Sequence, residues 1–174
     1  PLEQTADKKH PADTSITFEN VSFRYPGAVN DALHDVSLKI NAGEQVAFVG
    51  PSGGGKTTLA RLIARFADVT EGNILIGGVN VKNIDEKELM DTVSFVFQDS
   101  HLLKMSILDN VRMGNKNATR QEVMEALKNA QCDDIIEKLP DGIDTVIGSK
   151  GTYLSGGEAQ RIAIARAMLK NSPI

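Results

Sequence analysis

Crosslinking is almost closed to this sequence. Cys132 is the single cysteine in 174 residues, so no internal disulfide can form, and such usage fits a reducing compartment. Cys132 itself reads as a small buried hydrophobe. An excess of basic charge is also missing: 19 Lys and Arg stand against 23 Asp and Glu, a formal net charge of −4. A broad nucleic-acid surface needs the opposite balance, so no nucleic-acid partner is expected. No apolar run reaches the roughly 20 residues that cross a bilayer, and the polar, charged N-terminus has no leader pattern. Any membrane role is therefore expected to come from a partner or from another segment. His10, His34 and His101 lack metal-ligand spacing and read as surface or loop residues. Asn117-Ala118-Thr119 fits a glycosylation acceptor, but Thr119 is better used as a helix cap.

What remains is the composition of one ordinary globular domain, 41% hydrophobic and 24% charged, long enough for a real core. Residues 1–14 are polar and aperiodic and read as a linker. From Ile16 to Tyr25 apolar residues alternate, and the step from Phe18 to Val21 breaks the period of two, which predicts a bulge near Asn20. Val36, Leu38 and Ile40 alternate again. Val46-Ala47-Phe48-Val49 is a continuous apolar run, as expected of a central parallel strand buried on both faces. A helix follows from Lys56, with Leu59, Leu62, Ile63 and Phe66 on one face. Asn73 to Val81 gives short strands around a Gly77-Gly78 turn, and Val93 to Phe97 reads as another buried strand ending at Gln98. From Ser106 to Leu139 the pattern turns helical, with Thr119 and Glu122 as a capping box. A last helix is expected from about Gly156 to Lys170, with Arg161, Arg166 and Lys170 on a solvated face.

The run Gly50-Pro51-Ser52-Gly53-Gly54-Gly55-Lys56-Thr57 fits the phosphate-binding loop pattern. A triphosphate concentrates negative charge on closely spaced oxygens. Glycines let successive backbone N–H groups turn toward it, and the helix that the loop opens presents its positive end. Lys56 would reach the outer phosphates, and the Thr57 hydroxyl would hold Mg²⁺. Strand, loop, Lys-Thr pair and amphipathic helix come in the required order. Leu154-Ser155-Gly156-Gly157-Glu158 offers a second anion site. Ser155 and Glu158 also form a capping box, and the two glycines leave that helix start bare. If both sites serve one triphosphate, two chains must face each other.

With these two motifs the chain resembles the nucleotide-binding domain of an ATP-binding-cassette (ABC) transporter, over nearly everything from Ile16 to Ile174. The resemblance implies an α/β fold: a P-loop nucleotide-hydrolase core with an N-terminal antiparallel β subdomain and an inserted helical subdomain. Residues 15–98 would form the β subdomain and P-loop core, residues 99–160 the helical subdomain, and residues 161–174 the return to the core. It implies ATP and Mg²⁺ as cofactors. Tyr25 would stack on the adenine. Gly50, Ser52, Gly53, Gly54, Gly55, Lys56, Thr57 and Thr58 would hold the phosphates, and Thr57 and Gln98 the metal, with Gln98 also orienting the attacking water. Ser155, Gly156, Gly157 and Glu158 would close over the nucleotide of a facing subunit.

Further expectations follow from that resemblance. Thr145 to Gly151 looks like the exporter-type loop that meets the transmembrane domains, although Val146 and Ser149 stand where acidic residues are usual. Glu158 stands where the signature usually has Gln. Partners would be a second nucleotide-binding domain and transmembrane domains fused upstream, which places the domain at the cytoplasmic face of a membrane. The metal-binding Asp, catalytic Glu and switch His of the family match nothing up to Ile174. The neighbouring strands of the core sheet would likewise be absent, so these residues are expected to bind ATP without hydrolysing it and to be only marginally stable. The other readings are a soluble ABC-type ATPase of translation or chromosomes, and a non-hydrolysing ATP-binding dimerisation module. The length of the helical segment, without a long coiled coil, speaks against the chromosome class.

Overall fold

The computed structural model describes Leu2 and residues 5–148 and 152–174, and these form two compact units. The first comprises residues up to Val93 together with Pro173 and Ile174. The second runs from Ser94 to Ser172.

The first unit is built on a four-stranded antiparallel sheet of order β2-β1-β3-β4. Its strands are β1 (Ile16–Phe23), β2 (Leu33–Ile40), β3 (Glu71–Ile76) and β4 (Val79–Asn80). Alternation sets the register: Ile16, Phe18 and Val21 of β1 lie opposite Ile40, Leu38 and Val36 of β2. The expected bulge is present, with a register shift between Phe18 and Val21 and Asn20 at φ 48°. It reverses the face of the following residues, so Val21 and Phe23 return to the core beside Phe18. Gly72, at φ +80°, is required there, because a Cβ would strike the backbone of Glu19 and Asn20. Phe18, Val21, Ile74, Ile76, Leu62 and Ile84 are essentially inaccessible. Each such side chain contributes about 1.5–3 kcal/mol by leaving water.

Helix α1 (Lys56–Ile63) packs Leu62 and Ile63 into this core. It is shorter than the periodicity suggests: Arg65 turns left-handed at φ 52° and Phe66 stands 51% exposed beyond the end. Helix α2 (Glu86–Thr92) follows the sheet, capped by the Asp85 carboxylate with Glu86 and Glu88 in its first turn. Residues 5–13 have no regular structure. They are hydrogen-bonded along their length to 77–88, through Lys9 N–H to Asn83 O, Ala12 N–H to Gly77 O and the Thr5 hydroxyl to Lys82 O.

The second unit is helical: α3 (Ile107–Arg112), α4 (Arg120–Asn129), α5 (Asp133–Glu137) and α6 (Gly156–Lys170). Their core is Ile107, Val111, Val123, Leu127, Ile135 and Ile162. Cys132 is fully buried among them, and burial pushes its thiol up to about 11. Both expected capping boxes form, Thr119 with Glu122 and Ser155 with Glu158. Asn171 ends α6 in a left-handed cap.

Three expectations are corrected. Residues 46–49 and 93–97 are not strands. Val46 is 46% and Val49 92% exposed, and Phe97 is 43% exposed. A strand exists through a ladder partner, and neither segment is part of the four-stranded sheet. Arg161 and Arg166 do not form a solvated face. Arg161 makes a bidentate pair with Asp134 and donates to Gln131 O. Arg166 is half-buried on Asn110.

Candidate functional site

In the first unit the Gly50–Thr58 loop enters α1 through a left-handed glycine. The N-cap is Gly55, left-handed at φ 79°, and no side chain caps the helix. Helices α2, α3, α4 and α6 are each capped by a side-chain oxygen, while the five-residue α5 is, like α1, without a side-chain cap. The first-turn N–H groups of α1 have no intrahelical acceptor, and here no side chain replaces it. Gly53 also has positive φ, and a Cβ there would meet nothing within 4 Å. At Gly55 a Cβ would come to 2.6 Å from Leu33 Cδ2 and 2.9 Å from Ala32 O. The loop therefore lies against β2 at one glycine and open at another. The Lys56 ammonium folds back over it, donating to Gly50 O at 2.9 Å and Pro51 O at 2.6 Å. A cation held only by neutral carbonyls, over uncapped N–H groups, suits an anion that it would turn to meet.

Tyr25 joins this loop. Two residues past the end of β1, it shares a 2.9 Å hydrogen bond with Thr58 Oγ1, and Thr58 is buried in the first turn of α1. Its ring stands edge-on to Phe23, centroids 4.9 Å apart at 82°, and it remains 41% exposed. Thr57, next to Thr58, is exposed. One side of the ring is thus anchored and the rest is open to a flat ligand.

In the second unit Ser155 caps α6, accepting from Glu158 N–H at 3.3 Å, while Glu158 Oε2 accepts from Ser155 N–H at 2.8 Å. That backbone bond, then the Ser155 hydroxyl, holds the Glu158 carboxyl below its ordinary range. A Cβ added to Gly156 or Gly157 would meet nothing within 4 Å, so the helix start is bare. Gln98 is an exposed loop residue. With His101, Ile147, Tyr153, Gly156 and Gln160 it lines a cavity of about 490 Å³. The structure thus gathers the loop, Lys56, Thr57, Thr58 and Tyr25 in one unit, and Gln98 with the start of α6 in the other.

Thr145 to Gly151 falls partly outside the described residues, at 149–151. Of the rest, Thr145 is buried, and Ile147 N–H donates to Met105 O at 3.1 Å. Sequence reading missed Asn110, a fully buried polar residue. Its signal was there: it falls on the same helical face as Ile107 and Val111. His10 Nδ1 lies 2.8 Å from a Glu88 carboxylate oxygen and His34 Nδ1 3.4 Å from one of Asp31, both on exposed imidazoles. Among the described residues no cluster of His, Cys, Asp or Glu could hold a metal, so a cation here would depend on hydroxyl, amide and ligand oxygens. No helix among them is long and apolar enough to cross a membrane.

Comparison with known proteins gives the family and the fold. Residues 33–174 match the family model described as ABC transporter. The chain is 46% identical over 164 residues to an ATP-dependent lipid A-core flippase of Methylobacillus flagellatus, covering 94% of this chain and 28% of that protein. It is 42% identical over 180 residues to the Beta-(1-->2)glucan export ATP-binding/permease protein NdvA of Brucella suis biovar 1, covering 99% of this chain and 30% of that protein. Among solved structures, a bacterial Atm1-family ABC exporter with ATP bound superimposes with a TM-score of 0.89 at 42% identity, covering 98% of this chain and 30% of that one. The chain therefore spans less than a third of the length of these relatives.

Proposed function

The chain belongs to the ABC transporter family, and from that premise we propose that it is the ATP-binding domain of an ABC exporter. The phosphates of ATP lie on the Gly50–Thr58 loop, with Lys56 moved from the loop carbonyls onto the outer phosphates and Tyr25 under the adenine. Thr57 and Gln98 would hold Mg²⁺, which would neutralise phosphate charge. Ser155, Gly156 and Gly157 close over the nucleotide of a facing copy, with Glu158 fixing the turn. The parent polypeptide hydrolyses ATP to drive export through permease segments like those named in its relatives, with this domain on the cytoplasmic face.

The observation that carries this is the helix α1 entrance: uncapped, opened by left-handed Gly55, with Lys56 on Gly50 O and Pro51 O. Resemblance to export proteins over nearly the whole chain supports the transport role. The test is titration calorimetry with Mg-ATP together with phosphate release from the full-length polypeptide. Lys56→Ala loses its charge-assisted bonds to phosphate, worth ~1.5–3 kcal/mol, and weakens binding roughly tenfold to a hundredfold. Ser155→Arg leaves the affinity of one subunit unchanged and stops turnover. Equal affinity for Lys56→Ala and wild type sinks the phosphate assignment. Loss of one-subunit affinity in Ser155→Arg sinks the facing arrangement.

A further inference from the structure

Asn110 is completely buried, and the bonds of its side chain run in several directions. The carboxamide oxygen accepts from Leu103 N–H at 2.9 Å and from Arg166 Nη2 at 3.3 Å. The carboxamide nitrogen lies 3.0 Å from Leu103 O, 3.3 Å from Met105 O and 3.0 Å from Ser106 O. Its main-chain carbonyl accepts from Arg166 Nε at 2.8 Å. Residues 103–106 are thereby held as a fixed turn, and that turn is clasped by α6 through a half-buried guanidinium. Burial lowers the Arg166 pKa, and the two Asn110 oxygens accept from its guanidinium in place of water. Gly114 adds a second lock: a Cβ there would collide with the carbonyl of Arg166.

The same turn is held from its other side. Ile107 N–H donates to Thr145 O at 3.2 Å, Ser106 bridges to Val146, and Ile147 N–H donates to Met105 O at 3.1 Å. Both approaches to the α6 start are therefore tied to one place. The chain entering the signature is fixed at 145–147, and the helix leaving it is fixed at Arg166. The segment leading out of Gln98 ends in the same turn. Leu103 to Asn110 is the common anchor of the two parts, Gln98 and Gly156, that share the cavity wall.

We propose that the Asn110–Arg166 pair consists of positioning residues, which fix where Ser155–Gly157 stand on the helical unit, and so how they meet the nucleotide of the facing copy, and thereby govern turnover without touching nucleotide. This rests on the ATPase reading above. It differs from a stability role in a measurable way. The P-loop binds through the other unit, so nucleotide affinity is preserved. Misplacing the signature by a fraction of a bond length lowers only the step in which it closes over the facing copy's nucleotide.

The experiment compares Arg166→Lys and Asn110→Ala in the full-length polypeptide with Ile135→Val, a core truncation in the same unit that serves as a stability control. Arg166→Lys keeps the charge and loses the two-point grip. Thermal midpoint, ATP affinity, KM and kcat are measured for all. Expected for both hub variants is a kcat lowered roughly tenfold to a hundredfold with ATP affinity within twofold of wild type, while Ile135→Val, at a comparable loss of thermal midpoint, keeps its kcat. Turnover in the hub variants equal to that of the control overturns the proposal and leaves the ATPase reading standing. So does failure of Arg166→Lys to fold, which would make the pair structural. Wild-type polypeptide that neither binds nor turns over ATP overturns the reading, and the proposal with it.

Discussion

Tyr25 has two attachments that substitution can separate. Its hydroxyl shares a 2.9 Å bond with Thr58 Oγ1, and its ring stands edge-on to Phe23 at 4.9 Å. Tyr25→Phe removes only the first. A neutral, partly buried hydrogen bond contributes ~0.5–1.5 kcal/mol, so folding stability falls by about that amount. The ring remains, so ATP affinity should change by less than about twofold if stacking is what it supplies. Tyr25→Ala removes the ring as well. It loses the Phe23 contact, another ~0.5–1.5 kcal/mol of stability, and a stacking term of similar size for the base. At 298 K that stacking term is roughly a twofold to thirteenfold weakening. Calorimetry with Mg-ATP on the two variants measures the affinities, and a urea melt measures the stabilities. If Phe weakens binding as much as Ala, the hydroxyl tether and not the ring is what matters. If Ala binds like wild type, Tyr25 does not touch the base.

Two other outcomes are expected. Gly55→Ala places a Cβ 2.6 Å from Leu33 Cδ2 at a φ of +79°. The left-handed strain alone costs about 1–2 kcal/mol, so the loop shifts and ATP binding is lost while the second unit, followed by the slow alkylation of buried Cys132, stays folded; retained affinity would show that the loop does not need this conformation. Glu158→Gln keeps the capping geometry but cannot titrate. Because the native carboxyl is held below its ordinary 4.5, its contribution is complete above that value and is lost as pH falls through the lower native one. Wild type should therefore lose stability more steeply than Glu158→Gln on acidification below about pH 4.5, and parallel acid melts would refute this.

What the sequence could disclose divides by the range of the interaction concerned. Thr119 with Glu122 and Ser155 with Glu158 are legible because a capping box is complete within four residues and forms as read. The Asn20 bulge is legible because a broken period must be absorbed locally. The glycine loop is legible for the same reason: positive φ at Gly53 and Gly55 is a property of those residues. Short α2 was overlooked although Asp85 marks its start, because seven residues carry too little periodicity to stand out.

The failures concern partners far away in the chain. An apolar run such as Val46 to Val49 states that it wants burial, not that a neighbouring strand is at hand. Outside the four-stranded sheet, Val49 is left 92% exposed. Arg166 fails in the opposite direction. Helical spacing puts it with Lys170 near one face, which reads as solvated, yet Asn110 reaches it from 56 positions away and holds it half-buried. Charge is a poor guide to exposure wherever a buried carbonyl is free to accept. In α3 that carbonyl is free because Gly114 N–H turns to Val111 O, leaving Asn110 O to Arg166. The signature motif can therefore be read from five residues, whereas what holds it in place is written in Asn110, Gly114 and Arg166, which only the fold brings together.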